Sequence, residues 1–341
     1  MIKDIKAPNN FDVEFISDIA KESFSTFGID NSFLVFKAIN DIYYLIYANI
    51  KNAIIIYNLI SNNKINEIIN AHNKDIINFR HFLDEYKKRD IIMTISFIDN
   101  NIKLWDVKNF ECILNLQNVN SNGNIKTACF INDNNNIFIV TSNYNGNTFI
   151  NLETIKIFNL DGSKIKEIDD SNNCVIFISV YYDKISSKNF VIAGNNGSIK
   201  SYDYTSNKIY YKYIDGKNDY YDHTSIVIID NDNDNIIKIV ESCGDGIIRI
   251  WNFHSGILLN KIKVSYGYLF SICLYNNYLF IGCREQKVKI LDIKEMSIIK
   301  EIEGFNQEVI TLKIFSHPAL GKCLLVKGKF GEEIKLWKIK A

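Results

Sequence analysis

Short segments in which apolar and polar residues alternate recur along the chain. The clearest of them, 244–252, is a Gly-Asp-Gly turn followed by Ile-Ile-Arg-Ile-Trp-Asn. A period of two places successive side chains on opposite faces of a sheet, and Asp-Gly favours a tight turn. The pattern therefore predicts a β-turn that leads into a strand.

The same pattern returns six more times in weaker form. All three tryptophans of the chain occupy its last apolar position. If Tyr, Phe or Leu is also accepted there, seven copies result, with anchors at Tyr57, Trp105, Phe158, Tyr202, Trp251, Leu291 and Trp337. The anchors are 40 to 53 residues apart, close to the roughly 40–45 residues of a four-stranded propeller blade. Between them lie short Ile, Val, Phe and Tyr segments separated by Asn, Asp and Gly, which indicate strands rather than helix pairs.

On these motifs the chain resembles the WD40-repeat β-propellers over almost its whole length. The second copy has Ala71-His72 in place of Gly-His, and Trp105-Asp106 closes its third strand. The resemblance implies buried tetrads in which Asp orients His, and Ser or Thr links that His to the indole N–H. The tetrad residues so implied in copies two and five are His72, Asp99, Trp105, His223, Ser242, Asp245 and Trp251.

Several copies depart from the family pattern. Copies one, three, four and six lack the Trp, copy four has Asn196 where Asp is expected, and Lys338 follows Trp337 in copy seven. We therefore expect most blades to be held together by apolar packing alone.

The fold prediction is an all-β chain forming one closed seven-bladed WD40-type propeller that comprises residues 1–341 as a single domain. Six blades is the alternative, because copy one is the most degenerate. Residues 11–19 alternate imperfectly, and the chain ends at Ala341, four residues after Trp337. The N-terminal strand is therefore predicted to complete the last blade, so that no strand edge stays open.

The amino-acid composition disfavours some classes of function. Lys+Arg and Asp+Glu both number 39, so no net field attracts polyanions, and nucleic acid is disfavoured as a partner. Residues 1–10 lack the apolar stretch of a signal peptide, and no long apolar run indicates stable membrane insertion. We expect a protein of the cytosol or the nucleus.

Metal and cofactor sites are not expected. The seven cysteines are scattered without a Cys-x-x-Cys pair and are predicted to be buried reduced thiols. Asp230, Asp232, Asp234 and Glu241 match the ligand spacing of an EF-hand. However, 236–240 reads as a strand that would carry Glu241 roughly 20 Å from Asp234, so a solvated turn is favoured.

No motif indicates an enzyme. Gly-x-Ser-x-Gly, phosphate-binding loops and His-Glu-x-x-His are absent from the sequence. His72 and His223 are explained by the tetrads. Phosphoinositide-binding propellers carry paired arginines beside a Gly, whereas 282–285 reads Gly-Cys-Arg-Glu, with a single Arg next to an acid.

The remaining functional candidate is the surface where the connections between blades gather. Tyr and Arg dominate binding hot spots, and the predicted loops on this face are rich in them. The candidate binding residues are Tyr144, Tyr220, Tyr221, Asp222, Tyr266, Tyr268 and Arg284. Polar insertions are predicted at 81–90 and 142–153. The sequence favours a non-enzymatic scaffold or adaptor of a multiprotein complex that binds a peptide at the channel mouth, and the alternative is a propeller that binds a small molecule or a phosphoinositide headgroup.

Overall fold

The computed structural model of the chain describes residues 11–19, 31–117, 119, 124–142, 154–169, 175–195, 197–216, 222–230, 235–329 and 333–340. These residues form 28 β-strands, and no helix occurs among them. The strands pair into seven four-stranded antiparallel sheets.

The first strand, β1 (Asp12–Ile19), belongs to the last blade. Blade 1 contains β2 (Phe33–Lys37), β3 (Tyr43–Ala48), β4 (Ile54–Asn58) and β5 (Asn63–Ile68). Blade 2 contains β6 (Ile76–Asp84), β7 (Arg89–Ser96), β8 (Asn101–Asp106) and β9 (Glu111–Leu116). Blade 3 contains β10 (Ala128–Asp133), β11 (Asn136–Thr141), β12 (Thr154–Asn159) and β13 (Lys164–Asp169).

Blade 4 contains β14 (Val175–Asp183), β15 (Lys188–Asn195), β16 (Ser198–Asp203) and β17 (Ile209–Tyr213). Blade 5 contains β18 (His223–Ile229), β19 (Lys238–Cys243), β20 (Ile247–Asn252) and β21 (Leu258–Lys263). Blade 6 contains β22 (Leu269–Tyr275), β23 (Tyr278–Cys283), β24 (Lys287–Asp292) and β25 (Ser297–Ile302). Blade 7 contains β26 (Val309–His317), β27 (Gly321–Gly328), β28 (Ile334–Lys340) and β1.

The seven sheets form a closed ring. The first strand of each blade contacts the first strand of the next, and β26 of blade 7 contacts β2 of blade 1. The prediction of seven blades is thereby confirmed, and the alternative of six is wrong. Because neighbouring strands are antiparallel, the connections between blades and the second-to-third-strand turns lie on one face, which we call the entry face. The other connections within each blade lie on the opposite face, the turn face.

The N-terminal strand closes the ring, as the sequence predicts. β1 pairs antiparallel with β28, with Val13 opposite Ile339 and Ile19 opposite Ile334. Val13 is 7% exposed and Ile19 is 3% exposed, whereas the residues between them face outward or are half-buried. The strand therefore covers the outer edge of blade 7 and adds apolar surface to the core.

Apolar packing between neighbouring blades forms the core. Each hydrophobic cluster draws its buried residues from two adjacent blades, and together the clusters run around the ring. The predicted anchor positions lie on the third strand of each blade. Trp251 is 1% exposed and Tyr202 is fully buried, whereas Tyr57 and Trp337 are only half-buried.

Asparagine supplies many of the tight turns. Nine of the fifteen described non-glycine residues with positive φ are Asn, the residue type that best tolerates this region after glycine. Gly246 has φ 78°, and a Cβ there would lie 2.1 Å from the carbonyl oxygen of Ser265. The turn that opened the sequence pattern therefore requires glycine, because the chain entering blade 6 packs directly against it.

Two sequence expectations need correction. The stretch 81–90 is not an insertion between strands: 81–84 ends β6, 89–90 begins β7, and only 85–88 connect them. Cys112 on β9 is exposed and Cys273 is half-buried, so the cysteines are not all buried. Outer-strand residues that point away from the neighbouring blade face solvent, which explains why Cys112 is exposed. The second predicted insertion, 142–153, lies outside the described residues except for Ser142.

Candidate functional site

Three buried polar side chains meet in blade 2. Trp105 Nε1 donates to Thr94 Oγ1 at 2.8 Å, and His72 Nε2 lies 2.8 Å from the same oxygen. Burial, assisted by the charge of Lys103, lowers the pKa of His72 to about 3, so the imidazole is neutral at physiological pH. The His–hydroxyl–Trp chain that the resemblance implies is present here, with Thr94 as a bridging residue that the sequence analysis did not name.

Asp99 has a different role from the implied one. Its Oδ2 accepts hydrogen bonds from the backbone N–H groups of Asn73 and Lys74 at 2.9 Å each. His72 Nδ1 has no hydrogen-bond partner within the described part of the chain. The carboxylate therefore fixes the backbone that enters β6 instead of orienting the imidazole.

Thr94→Val is expected to destabilise the protein by about 1–3 kcal/mol, because the buried indole N–H and imidazole lose their shared partner. Chemical denaturation monitored by tryptophan fluorescence measures the change. Thr141→Val is the matched control: Thr141 occupies the equivalent position on β11 opposite Lys156 and is fully buried, but its hydroxyl has only a 3.5 Å contact with the Lys156 carbonyl. Equal losses in the two variants would show that the shared hydrogen bonds contribute nothing.

The implied tetrad of blade 5 is not formed, and this expectation is corrected. His223 Nδ1 lies 2.9 Å from Glu241 Oε2, and Ser242 Oγ lies 2.9 Å from Thr224 Oγ1. Trp251 Nε1 has no hydrogen-bond partner among the residues the structure describes.

Strand register explains this difference. Thr94 lies opposite Lys103 in blade 2, and the corresponding residue opposite Arg249 in blade 5 is Glu241. Ser242 is one residue further along the strand, and a shift of one residue turns a side chain to the other face of the sheet. Glu241 therefore occupies the place of the tetrad hydroxyl.

A buried charge network replaces the tetrad in blade 5. Arg249 donates from Nη2 to Asp245 Oδ2 at 2.6 Å and from Nε to Asp215 Oδ2 at 3.0 Å, and Nε lies 3.9 Å from Glu241 Oε1. Burial alone would lower the pKa of Arg249, but the bonds to Asp245 and Asp215 outweigh burial and raise it. His223 and Glu241 are 1% and 0% exposed, so this pair is enclosed and cannot contact a substrate.

A cation at one position recurs in six of the seven blades, two residues before the anchor. These residues are Lys103, Lys156, Lys200, Arg249, Lys289 and Lys335. Three of them donate from Nζ to a carbonyl of the chain entering the same blade: Lys103 to Ala71, Lys156 to Val119 and Lys289 to Val264. These three lysines therefore attach the connections between blades to the sheets and hold that part of the entry face in place.

Four of the candidate binding residues form one patch on the entry face of blades 5 and 6. The loop before β22 is bonded to the turn of blade 5, because Val264 and Ser265 donate their N–H groups to the Gly246 carbonyl at 2.9 and 3.1 Å. This loop presents Tyr266 with its side chain 97% exposed. We call Asp222, Tyr266, Tyr268 and Arg284 the entry patch.

Tyr268 is held firmly within the entry patch. Its hydroxyl donates to Asp222 Oδ2 at 2.7 Å, and its ring stacks 5.8 Å from that of Phe270. A Cβ on Gly244 would lie 2.8 Å from the Tyr268 ring, so the two are in close contact. Burial first, and then the hydrogen bond and charge of Asp222, raise the pKa of Tyr268 to about 12. The Tyr268 hydroxyl therefore stays protonated and keeps its hydrogen bond to the Asp222 carboxylate.

Arg284 completes the entry patch. The backbone N–H of Arg284 donates to the Tyr268 carbonyl at 2.9 Å. Its side chain is 62% exposed, and Nε lies 3.3 Å from Glu308 Oε1 of blade 7. Glu285, the acid next to Arg284 in the sequence, binds elsewhere. Its carboxylate binds Lys289 at 2.7 Å and accepts from Ser265 Oγ at 2.7 Å. Burial opposes ionisation of Glu285, but these bonds outweigh it and lower its pKa to about 2.

The other three candidates, Tyr144, Tyr220 and Tyr221, lie outside the described residues. The central channel is a second concave feature, a cavity of about 740 Å³ lined by the inner strands. Arg80 and Lys313 line it, with Arg80 Nε bonded to the Ala128 carbonyl and Lys313 Nζ to Asn31 Oδ1. No sequence motif indicated either residue.

Two further findings bear on the function. No stretch of the described residues is a helix long and apolar enough to span a membrane. Neither a scan against protein-family models nor a search of curated protein sequences gave a match for the chain.

Proposed function

We propose that this seven-bladed propeller is a non-enzymatic interaction scaffold that binds a peptide segment of a protein partner through its entry patch. The fold alone does not specify a function, so the proposal depends on the surface. Its main support is that Asp222, Tyr266, Tyr268 and Arg284 form one contiguous patch on rigid connections between two blades. We also propose that its repeats are of the WD40 type.

The entry patch has the composition of a binding hot spot. Tyr266 offers a large aromatic surface at low conformational cost because its loop is already bonded to blade 5. Arg284 offers the one exposed guanidinium beside it, suited to charge-assisted contacts with carboxylates or carbonyls of a peptide. Since Asp222 and Glu308 lie within the same surface, a mixed peptide fits better than a strongly anionic one.

The double substitution of Tyr266 and Arg284 by Ala is expected to abolish recovery of the partner and leave the fold intact. Surface truncations of this kind cost about 0.5–1 kcal/mol or less. Affinity purification from the native cell, with quantitative mass spectrometry of stoichiometric partners, measures the loss.

The matched control replaces Ile98 and Lys74, which also lie on the entry face but in blade 2, with Ala. Ile98 is 57% exposed. A partner that is lost with the control and retained with the entry-patch variant would place the binding surface elsewhere on the ring.

A second candidate function is the binding of a small anionic molecule or a phosphoinositide headgroup in the central channel. The observation that favours it is the cavity of about 740 Å³ lined by Arg80 and Lys313, a volume within the usual range for ligand pockets. Thermal-shift measurements with inositol phosphates, on the wild-type chain and on Arg80→Ala, test it. A ligand that stabilises only the wild type would favour this function.

A further inference from the structure

Two equivalent tips project from the turn face of blades 2 and 4. Residues 85–88 connect β6 to β7, and residues 184–187 connect β14 to β15. A buried aspartate precedes each tip and accepts a hydrogen bond from a tip N–H at 3.0 Å: Asp84 from Lys87 and Asp183 from Ile185. Burial opposes ionisation of Asp183, but hydrogen bonds from Ser186 and Ile185 outweigh it and lower its pKa. The tips are therefore ordered before any partner arrives.

Each tip exposes one large apolar side chain at the same position. Tyr86 and Ile185 both lie two residues after the capping aspartate, and they are 80% and 76% exposed. Their equivalent positions on two turns of matching geometry make these side chains candidate binding anchors.

A recess lies beside the first tip, over blade 3. Blade 3 has only the two-residue turn Asn134–Asn135 at this position, so its turn face is lower than that of its neighbours. A cavity of about 460 Å³ lies between Tyr86 and Lys87 of the first tip and the turns of blade 3. Asn135 and Asn136 contribute to its wall, and their amides can donate to and accept from a peptide backbone.

Charge on the turn face differs between two sectors. In the connections of blades 2–4 that the structure describes, the exposed charged residues are Glu85, Lys87, Lys88, Lys108, Asp161, Lys184 and Lys208. The corresponding residues of the remaining blades, within the described ranges, are Asp41, Asp230, Lys294 and Glu295. Blades 2–4 therefore have a positive excess on this face. The remaining blades have no comparable excess, because Asp41 is paired with Lys37 at 2.6 Å, Asp230 lies 3.6 Å from Lys184, and Lys294 offsets Glu295.

We infer that the turn face of blades 2–4 is a docking site for an extended, acidic segment of a partner protein. Two apolar residues of the segment pack on Tyr86 and Ile185, its carboxylates lie beside the lysines, and its backbone crosses the recess over Asn135 and Asn136. The positive excess of blades 2–4 favours an acidic segment there over the rest of this face, which has no such excess. This site is separate from the entry patch, which lies on the opposite face.

Fluorescence anisotropy with a labelled dodecapeptide of four Glu-Asp-Leu repeats tests this inference on the full chain. We expect binding that weakens as salt is raised, whereas a dodecapeptide of four Lys-Arg-Leu repeats should not bind. The double variant Lys87→Glu with Lys184→Glu should weaken binding of the acidic peptide at least tenfold. Tyr86→Ser with Ile185→Ser should also weaken it, but with an unchanged salt dependence.

The matched control is Lys294→Glu with Lys322→Glu, which makes the same change in net charge on the other sector of the turn face and should leave the affinity unaltered. Equal losses in the control and in the Lys87/Lys184 variant would overturn the inference, as would absence of binding by the wild-type chain. Vesicles of phosphatidylserine and phosphatidylcholine should not compete. If the chain binds them through Tyr86 and Ile185 and ignores the peptide, the site is a membrane contact and the inference is wrong.

Discussion

A chain that lacks residues 1–20 is expected to aggregate. Without β1, the outer edge of β28 presents unpaired N–H and C=O groups, and the cores that Val13 and Ile19 complete are opened to water. An exposed edge strand pairs with other chains. Size-exclusion chromatography and sedimentation of the expressed protein measure the soluble fraction, which should fall to a small part of the wild-type value.

Two point variants test whether buried contacts of β1 close the ring, or whether any substitution in this strand destabilises the protein. Val13→Asp buries an unpaired charge next to Ile339 and is expected to cost about 2–5 kcal/mol. Ile16→Asp makes the same chemical change at a side chain that is 36% exposed and is expected to cost about 1 kcal/mol or less. A folded, soluble deletion variant, or equal costs for the two point variants, would contradict closure by β1.

Arg249→Ala is expected to destabilise the protein by about 3–5 kcal/mol. The guanidinium is 3% exposed and donates hydrogen bonds to Asp245 and Asp215, and its Nε lies 3.9 Å from Glu241 Oε1. Its loss removes the cation hydrogen-bonded to Asp245 and one of the two cations that contact Asp215, and Glu241 has no access to water. Urea denaturation at pH 7 measures the change as a lower midpoint.

Lys261→Ala is the matched control, because Lys261 Nζ also contacts Asp215, at 2.9 Å, but its side chain is 51% exposed. Such exposed pairs contribute about 0–1 kcal/mol. Adding Glu241→Gln to Arg249→Ala should recover part of the loss, since the uncompensated carboxylate is then removed. If the second substitution deepens the loss instead, the network is not held together by charge.

The fold was accessible from the sequence because its signal is periodic. Each third strand combines a turn, alternation and an apolar anchor such as Trp105 or Trp251, and seven weak copies reinforce one another. Closure by β1 followed from the same count, because the last copy lacks a fourth strand. The stretch 81–90 was predicted wrongly because β6 and β7 extend into a polar segment, with His81 and Asp84 on β6 and Arg89 and Asp90 on β7, so polarity alone did not indicate a loop.

The interior of blade 5 was less accessible, because a motif specifies residue types but not strand register. Ser242 matches the tetrad pattern in type, yet Glu241 one residue earlier points towards His223. A visible signal did exist: a Lys or Arg stands two residues before the anchor in six blades, and the residue paired with it across the sheet identifies the tetrad position.

The candidate binding site was also only partly predictable from the sequence. Loop membership and residue type were sufficient to name Asp222, Tyr266, Tyr268 and Arg284, which lie together. The partner of Arg284 was not predictable, because Glu308 belongs to the next blade and is distant in sequence. The equivalence of Tyr86 and Ile185 depends on matching turns in two different blades, and no local pattern reveals it.

Closure by the first strand also affects how the protein is made. Asp18 and its partner Lys335 are 317 residues apart, so at ribosomal rates of roughly 5–20 residues per second β1 leaves the exit tunnel about 15–60 s before β28 is synthesised. During that interval blades 1–6 can fold in order of synthesis, while β1 waits as a single unpaired strand. Its outward-facing Asp12 and Glu14 keep it soluble. Completion of the ring consequently waits until β28 has been synthesised, and chaperones that recognise nascent chains can bind β1 throughout that interval.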